Sequence, residues 1–180
     1  TSHVRAELLA HAPQGLAPGA TVWLGLQIAH QPEWHTYWKN AGDSGLPTEF
    51  RWTLPAGLVA GDIDWPTPHK IPIGNLANYG YENTVLLPVP VQVAENFRPP
   101  VPLAGAATVP VRLSASWLVC RKECIPEEGE FTLQLPAQGS TAMHAGEFDR
   151  ALAARPAALG TDGTASVTVE GQQLNVRVAG

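Results

Sequence analysis

The sequence predicts an all-β fold, a β-sandwich, on the basis of three observations. Short apolar stretches with alternating side chains recur along the chain, which is typical of strands that bury one face. Turn-forming residues lie between these stretches, and the 180 residues include 17 glycines and 17 prolines. Six or more such strands can be counted, and this number favours two packed sheets.

The first strands are predicted at residues 4–10, 21–29 and 49–54. The second has the clearest period of two, and its apolar side chains share one face: Val22, Leu24, Leu26 and Ile28. Residues 86–94 are also typical of a strand, but they contain two prolines. Because proline cannot donate a hydrogen bond to a neighbouring strand, we place this strand at the edge of a sheet.

The longest strand is predicted at residues 108–119, and a further strand follows around residues 131–135. Five side chains share one face of the longest strand: Val109, Val111, Leu113, Ala115 and Trp117. Residues 32–47 and 65–82 lack strand periodicity and are rich in aromatic and turn-forming residues. We therefore expect two long irregular segments, and such segments in a compact domain are often functional.

The pattern changes after residue 136, where a helix is expected. Ser140 or Thr141 is a candidate N-cap, and the helix is predicted to run to about Leu159. Four residues form its apolar stripe: Met143, Phe148, Leu152 and Ala153.

The chain is predicted to end in a β-hairpin around Glu170 and Gly171. We thus divide the sequence into a sandwich domain at 1–136, a helix and linker at 137–163, and a hairpin at 164–180. Because a lone hairpin is marginally stable in water, we expect it either to begin a second domain or to dock on the first.

Charge and hydropathy argue against two classes of partner. The formal net charge is −5 and the chain has no run of Lys or Arg, so we do not expect it to bind nucleic acid. No apolar window approaches the roughly 18 to 20 residues of a membrane span. No signal-peptide pattern is present, so a secreted location has to be inferred from other features.

Cys120 and Cys124 are the two cysteines of the chain. Their flanks are typical of strand, turn and strand, which brings the two Cβ atoms near bonding range across a hairpin. One interpretation is a structural staple. In the chain-entropy model, closing so short a loop contributes ~2 kcal/mol, against ~4.7 kcal/mol for a loop of one hundred residues. A staple here would therefore stabilise the fold only a little.

A second interpretation is a metal site. Zinc would need histidines as further ligands, but the six histidines are scattered and none has the spacing of a zinc finger: His3, His11, His30, His35, His69 and His144. Copper(I) between the two thiolates stays open, because soft ligands suit this ion.

A third interpretation is a redox-active pair. Arg121 and Lys122 lie between the sulfurs and favour the thiolate form, although nearby glutamates offset them. We expect Cys124 to be the sulfur exposed to partners, because Cys120 ends a long strand whereas Cys124 lies at the exit of the loop beside Pro126. From these residues alone, all three interpretations remain open.

Four motifs in a fixed order resemble one family. They are "WHTYWKNAGDSGLPTEFRWTLPAG" at 34–57, "IDWPTPHKI" at 63–71, "YGYE" at 79–82 and "WLVCRKECIPEEGEF" at 117–131. Together they resemble the periplasmic N-terminal domain of DsbD-type thiol:disulfide interchange proteins, in particular the branch that includes the ScsB copper-tolerance proteins. The resemblance covers about residues 4–136. The cysteine spacing is shorter here than in the best-known enterobacterial DsbD domain.

The resemblance implies an immunoglobulin-like β-sandwich that lies in the periplasm as part of an inner-membrane protein. It implies a protein-disulfide reductase activity, in which a thioredoxin-like domain donates electrons and periplasmic thiol proteins accept them. A membrane domain of the same protein, downstream of this chain, would supply the electrons. No metal or other cofactor is implied besides the cysteine pair. The alternative function is a module that binds copper(I) or a protein, with the cysteines as ligands or as a staple.

The resemblance also assigns site residues. Cys120 and Cys124 occupy the positions of the redox pair. In the family a loop caps the cysteines until a partner arrives, and we assign that role to residues 69–82, with three residues expected near the sulfurs: Tyr79, Tyr81 and Glu82.

Two further features have simpler interpretations. Four aromatic residues are expected to belong to the core or to support the cap: Trp34, Tyr37, Trp38 and Trp52. The stretch "GDSG" at 42–45 resembles the nucleophile loop of a serine protease, but a polar turn is the better interpretation because no His and Asp partners are assigned to it.

Overall fold

The computed structural model describes residues 1–101, 105–158 and 160–179. The elements of these residues are, in chain order, β1 (Val4–His11), β2 (Thr21–His30), β3 (His35–Gly42), β4 (Glu49–Thr53), β5 (Leu58–Ala60), β6 (His69–Ile73), β7 (Leu76–Glu82), β8 (Thr84–Val93), β9 (Thr108–Cys120), β10 (Cys124–Pro136), α1 (Ala145–Ala153), β11 (Thr164–Glu170) and β12 (Gln173–Ala179).

The predicted β-sandwich is confirmed. One sheet has the strand order β1-β2-β8-β5, and the other has the order β10-β9-β3-β7-β6, with β4 paired to β9. The core lies between the two sheets, where the alternating side chains of β2 and β9 are buried as the sequence predicts. Burial of these apolar faces is the main force that holds the two sheets together.

Two segments that we expected to be irregular contain strands. Residues 32–47 include β3, and residues 65–82 include the hairpin of β6 and β7. The prediction was wrong for β3 because three consecutive side chains are buried there, which removes the alternation: His35, Thr36 and Tyr37. In β7, Asn78 and Gly80 have low strand propensity, but both are fully or largely buried between neighbouring strands.

The strand with two prolines is not an edge strand. It is β8, which lies between β2 and β5. The physical reason is that β5 pairs only with Val91–Val93 and ends before the prolines. Beyond that end, Pro88 and Pro90 act only as hydrogen-bond acceptors. Their carbonyl oxygens accept hydrogen bonds from the backbone N–H groups of Asp64 and Gly61, respectively, both at 2.8 Å. The lack of an N–H group on each proline therefore leaves no acceptor of the neighbouring segment without its hydrogen bond.

The helix is shorter than predicted. It spans Ala145–Ala153, and His144 rather than Ser140 or Thr141 stands at its N-cap. Thr141 instead bridges to Ala12 through two backbone hydrogen bonds of 2.8 and 2.9 Å, which anchors the segment before the helix begins.

Only part of the predicted stripe of the helix is buried. Phe148 is fully buried and packs with Leu9 and Leu86, and Ala151 completes this small second cluster. Met143, which we placed on the stripe, precedes the helix and is 90% exposed. The predicted end at Leu159 lies outside the described residues.

The predicted C-terminal hairpin is confirmed as the pair β11 and β12, which turns at Gly171. Every described residue of its two strands is exposed. Its cross-strand pairs place a set of apolar side chains on one face: Val167, Val169, Leu174, Val176 and Val178. Gly180, the last residue of the predicted hairpin segment, lies outside the described residues.

Candidate functional site

The two cysteines close the hairpin of the two longest strands. Cys120 is the last residue of β9 and Cys124 is the first of β10, and they form a disulfide with their Cα atoms 4.1 Å apart. From this point the two strands pair without a break over 13 residues each. The position of both cysteines is therefore fixed by the backbone ladder as well as by the bond between the sulfurs.

The two cysteines differ sharply in exposure. Cys120 is buried, with only 1% of its surface exposed, whereas Cys124 is an exposed residue. This is the placement expected from the sequence. In a disulfide with one exposed sulfur, an incoming thiolate reaches that sulfur and the buried cysteine becomes the leaving group.

The cysteines belong to a row of directly paired residues that crosses four strands. Cys124 pairs with Cys120, Cys120 pairs with His35 of β3, and His35 pairs with Glu82 of β7. Directly opposed residues lie on the same face of a sheet. Since Val119 belongs to the core between the sheets, alternation places Cys120 and its row on the outer face of this sheet.

Tyr37 is the side chain whose hydroxyl reaches the disulfide. Its oxygen lies 3.8 Å from Cys124 Sγ and 3.3 Å from Nε2 of His35. Both aromatic side chains are buried, with Tyr37 at 0% and His35 at 3% exposure. Our sequence interpretation gave Tyr37 only a supporting role and gave His35 no role beyond a rejected zinc site. Had β3 been recognised, the spacing of two would have placed both residues on one face.

The "GDSG" segment is a turn that holds Tyr37 in place. The backbone N–H and the hydroxyl of Ser44 both donate to Asn78 Oδ1 at 2.9 Å. The backbone N–H of Ala77 donates to a carboxylate oxygen of Asp43 at 2.7 Å. Gly45 has a positive φ of 96° and lies flat against the ring of Tyr37, where a Cβ atom would overlap the ring. Only glycine combines this conformation with this contact.

Burial sets the protonation of the aromatic pair. Removal from water lowers the pKa of His35, and the negative charge of Glu82 offsets part of this effect. Burial likewise raises the pKa of the Tyr37 hydroxyl, and a hydrogen bond with Ser44 acts in the opposite direction. At neutral pH the structure therefore holds a neutral imidazole and a protonated phenol beside Cys124.

The three predicted cap residues lie in different places. Glu82 stands in the row of paired residues, next to His35. Tyr81 belongs to the core between the sheets, and its hydroxyl donates to the carbonyl oxygen of Pro66 at 2.7 Å. Tyr79 is 37% exposed on β7, where it pairs with Lys70 of β6. Residues 69–82 thus form a strand hairpin beside β3, and their capping role stays a prediction.

Arg121, in the loop between the cysteines, contacts the segment that connects β2 and β3. The guanidinium of Arg121 lies 5.3 Å from the ring centre of Trp34 and 3.4 Å from a carboxylate oxygen of Glu33. The ring of His3 also packs on Trp34, with the two ring centres 4.1 Å apart. These contacts hold the side chain of Arg121 against Trp34 and pair its charge with Glu33.

Glu127, on β10, connects His3 to the hairpin that carries the cysteines. Its carboxylate accepts a hydrogen bond from Nε1 of Trp117 at 3.1 Å and lies 2.7 Å from Nδ1 of His3. Burial acts to raise the pKa of Glu127, but hydrogen bonds from Thr1, His3 and Trp117 outweigh it, so the pKa is lowered. The carboxylate is therefore ionised at neutral pH and supports the hairpin below the cysteines.

Within residues 1–101, 105–158 and 160–179, no group of three or more His, Cys, Asp and Glu side chains could hold a metal ion. In the same part of the chain, no helix has the length and hydropathy needed to cross a membrane.

Comparisons with known proteins agree with the motifs. Residues 5–136 match the family described as "Thiol:disulfide interchange protein DsbD, N-terminal", which confirms the resemblance. The N-terminal periplasmic domain of ScsB from Proteus mirabilis has the same fold, with a TM-score of 0.67 and 19% identity over 98% of this chain. The chain spans 64% of the length of that solved chain.

The GAE domain of yeast GGA1 matches 74% of this chain and 92% of its own length at 10% identity, with a TM-score of only 0.38. No curated protein sequence matches this chain.

Proposed function

Because this chain belongs to the family of N-terminal domains of DsbD-type thiol:disulfide interchange proteins, we propose that it relays reducing equivalents between proteins through Cys120 and Cys124. The observation that carries the proposal is the difference in exposure between the two cysteine residues of one disulfide. The bond closes a hairpin that is fully paired without it, so its contribution to the fold is small. An exposed bond with a small structural role is suited to repeated opening and closing.

The reduction of this domain takes two exchange steps. A thiolate of the donor attacks Cys124 Sγ, the bond between the two cysteines breaks, and Cys120 leaves with the electron pair and takes up a proton. The second thiolate of the donor then attacks the donor's own sulfur in the mixed disulfide and releases Cys124. Two electrons and two protons have moved to this domain, and the donor has become a disulfide. Reduction of a substrate protein follows the same two steps in reverse.

The proposed donor is a thioredoxin-like domain, and the proposed acceptors are thiol proteins of the periplasm. The family description and the fold shared with a periplasmic domain support this location. We place the chain in an inner-membrane protein whose membrane part lies outside this sequence. Residues 69–82 are proposed to cap the site, since Glu82 stands next to His35 and the hairpin flanks β3.

The C-terminal hairpin is proposed to be the start of a second structural unit. All of its described residues are exposed, and one of its faces is apolar. A two-stranded hairpin gains little stability by itself, so this face needs a further partner to be buried.

A trapping experiment tests the relay. The Cys120→Ser variant keeps the exposed Cys124 and should accumulate a mixed disulfide with a thioredoxin whose second cysteine is replaced by serine and whose first is activated with Ellman's reagent, because neither protein then has a second thiol to resolve it. The Cys124→Ser variant keeps only the buried cysteine and should trap much less. Equal trapping by both would remove the assignment of Cys124 as the attacked sulfur.

Trapping by neither variant, with the activated thioredoxin present, would count against thiol exchange altogether. The alternative is then copper(I) binding by the two thiolates. Competition for copper(I) against a calibrated chelator, with the double variant Cys120→Ser, Cys124→Ser as the control, decides that case.

A further inference from the structure

We propose that Tyr37 and His35 form a proton relay for Cys124, in which the hydroxyl of Tyr37 exchanges a proton with the sulfur and His35 accepts or returns it. The inference rests on the proposed function, because it concerns how the same cysteine is deprotonated before it attacks a substrate disulfide. Tyr37 is the catalytic residue of the relay, and His35 acts through it as a positioning residue.

The geometry is a continuous path between three side chains. Nε2 of His35 lies 3.3 Å from the Tyr37 oxygen, and that oxygen lies 3.8 Å from Cys124 Sγ, within hydrogen-bond reach of a sulfur atom. The disulfide sulfur carries no proton, so in the oxidised protein the phenol is the donor to whichever neighbour it faces. Both aromatic rings are buried, which excludes bulk water from the two inner members of the path.

The proton balance of the relay is simple. When reduced Cys124 attacks a disulfide, its thiol proton passes to the oxygen of Tyr37 while the phenol proton passes to Nε2 of His35. The products are a thiolate, an unchanged phenol and an imidazolium. The thiolate then forms the new bond to the substrate sulfur, and the other substrate sulfur leaves with the electron pair. When Cys124 later leaves as a thiolate, the same path returns the proton.

The surroundings of His35 suit a proton acceptor. Burial keeps the imidazole neutral at neutral pH, because it lowers the pKa of His35. Glu82, its direct partner on β7, provides a negative charge that compensates the imidazolium once it forms. On its other side, His35 pairs with Cys120 of β9. On its own strand, His35 contacts the hydroxyl of Tyr37. A further titratable neighbour is His30 of β2, whose pKa is lowered by burial and by His35, against a hydrogen bond with the backbone of Asn83. His69 of β6 stands in the same row as Tyr37, with Gly80 between them.

The turn at 42–45 keeps the middle member of the relay in position. Gly45 packs on the ring of Tyr37, and Ser44 is fixed by two hydrogen bonds to Asn78. The side chain of Asn78 is itself fully buried. A turn tied to a buried amide in this way limits the positions that the phenol can adopt, so the distance to the sulfur is held by the fold.

The size of the expected effect follows from the thiol itself. A thiol of ordinary pKa, about 8.5, is only ~3% thiolate at pH 7, so full ionisation would accelerate attack about thirtyfold. The relay stays below this limit, because an imidazole of lowered pKa is the weaker base and takes the proton only as Cys124 attacks. At a pH above the pKa of the thiol, Cys124 is already a thiolate, so the relay no longer accelerates its attack. Below the pKa of His35 the imidazole is already protonated and cannot accept a proton. The advantage is therefore confined to a window of pH between these two values.

The test uses the Cys120→Ser background, in which Cys124 is the one remaining thiol, and a small probe, dipyridyl disulfide. The rate of attack is measured from about pH 5 to about pH 10 with Tyr37 intact and in Tyr37→Phe, which keeps the ring under Gly45. We expect the ratio of the two rates to be at least about three near pH 7, below the thirtyfold limit, and to approach one at the alkaline end of the range. Thr132→Val removes an exposed hydroxyl from β10, far along the hairpin from the cysteines, and is the control.

Two outcomes overturn the relay. A ratio that stays the same at every pH would show that the hydroxyl acts on structure alone, and equal rates at pH 7 would show that it does not act at all. His35→Gln should reproduce the loss at pH 7, and the variant with both changes should be no slower than either one, since they interrupt one path. His35→Gln also serves if Tyr37→Phe does not fold. Because the probe is not a protein, these results are independent of the trapping of thioredoxin.

Discussion

His35 and Cys120 are direct partners across β3 and β9, at the residue where β9 ends. Cys120 is therefore paired on both sides, with His35 on one strand and Cys124 on the other. The backbone places the disulfide at the end of β9, and it pairs Cys120 with the buried His35. The site is thus a product of strand register.

Because the ladder fixes the cysteines, we predict that the domain stays folded when the disulfide is absent. The double variant Cys120→Ser, Cys124→Ser should lose about 2 kcal/mol or less of the free energy of unfolding, the amount expected for so short a loop. Denaturation by urea, compared with the oxidised protein, measures this loss. A variant that is unfolded at room temperature would favour the structural staple over the relay.

The capping role of residues 69–82 predicts a dependence on reagent size. In the reduced protein, Tyr79→Ala should increase the rate of alkylation of Cys124 by a bulky maleimide more than the rate with iodoacetamide. Tyr79 is the suitable position because it is partly exposed, whereas Tyr81 belongs to the core. Leu76→Ala, at the far end of the same strand and 42% exposed, is the control. Unchanged rates with both reagents would remove this hairpin from the site.

The sequence allowed the prediction of those strands that bury one face. In β2 and β9 every second side chain faces the core, so a period of two is visible in the residues themselves. In β3 the outer face is also covered, because the turn at 42–45 packs on Tyr37. The side chains at the start of β3 are therefore all buried, and no alternation remains to be recognised.

The site could be predicted only in part, for a related reason. The cysteines are close in sequence, and their pairing follows from a local hairpin. The contacts of Cys120 with His35, and of Cys124 with Tyr37, depend on which strand lies beside β9. That choice is made by the packing of the whole sheet, and no local pattern encodes it. Tyr81 shows the same limit, because its neighbour Glu82 faces the site while Tyr81 faces the core.

The exposed hairpin predicts that the sandwich is stable without it. Removal of residues 164–180 should change the free energy of unfolding by less than ~0.5 kcal/mol, the range of surface changes, because all described residues of β11 and β12 are exposed. Removal of the chain from residue 141 onward is the control. It also takes away Phe148, which is fully buried, and should cost at least ~3 kcal/mol. A loss above ~1 kcal/mol for the first truncation would show that the hairpin docks on the sandwich.

Glu127 predicts a pH dependence of stability. Its pKa in the folded protein is lowered from the ordinary 4.5, so its stabilising effect is fully present above that value and is lost as the pH falls through the folded pKa. Glu127→Gln should cost about 1 to 3 kcal/mol at pH 7, because the charged acceptor of Trp117 and His3 is lost.

The difference between Glu127→Gln and the unchanged protein should shrink as the pH is lowered below 4.5. Urea denaturation at several pH values measures it. Glu130→Gln, on the same strand but exposed, should change stability by less than ~0.5 kcal/mol at pH 7. A cost for Glu127→Gln that does not depend on pH would mean that the shape of the side chain matters and its charge does not.

Gly45 gives the sharpest link between the fold and the site. It has a positive φ of 96°, and a Cβ at this position would overlap the ring of Tyr37. Gly74, in the turn between β6 and β7, also has a positive φ, 59°, but a Cβ there meets no atom within 4 Å. Alanine at either position bears the cost of the left-handed backbone, about 1 kcal/mol. Only Gly45→Ala must in addition displace the ring of Tyr37.

We therefore predict that Gly45→Ala loses more stability than Gly74→Ala, by a further ~1 to 3 kcal/mol, which is typical of overpacking. It should also slow the attack of Cys124 on dipyridyl disulfide at pH 7 towards the rate of Tyr37→Phe, because the phenol no longer lies at 3.8 Å from the sulfur. Gly74→Ala should leave that rate unchanged. If the two alanine variants are equally stable and equally fast, then the turn at 42–45 does not position Tyr37, and the contact between Gly45 and the ring has no consequence for the chemistry.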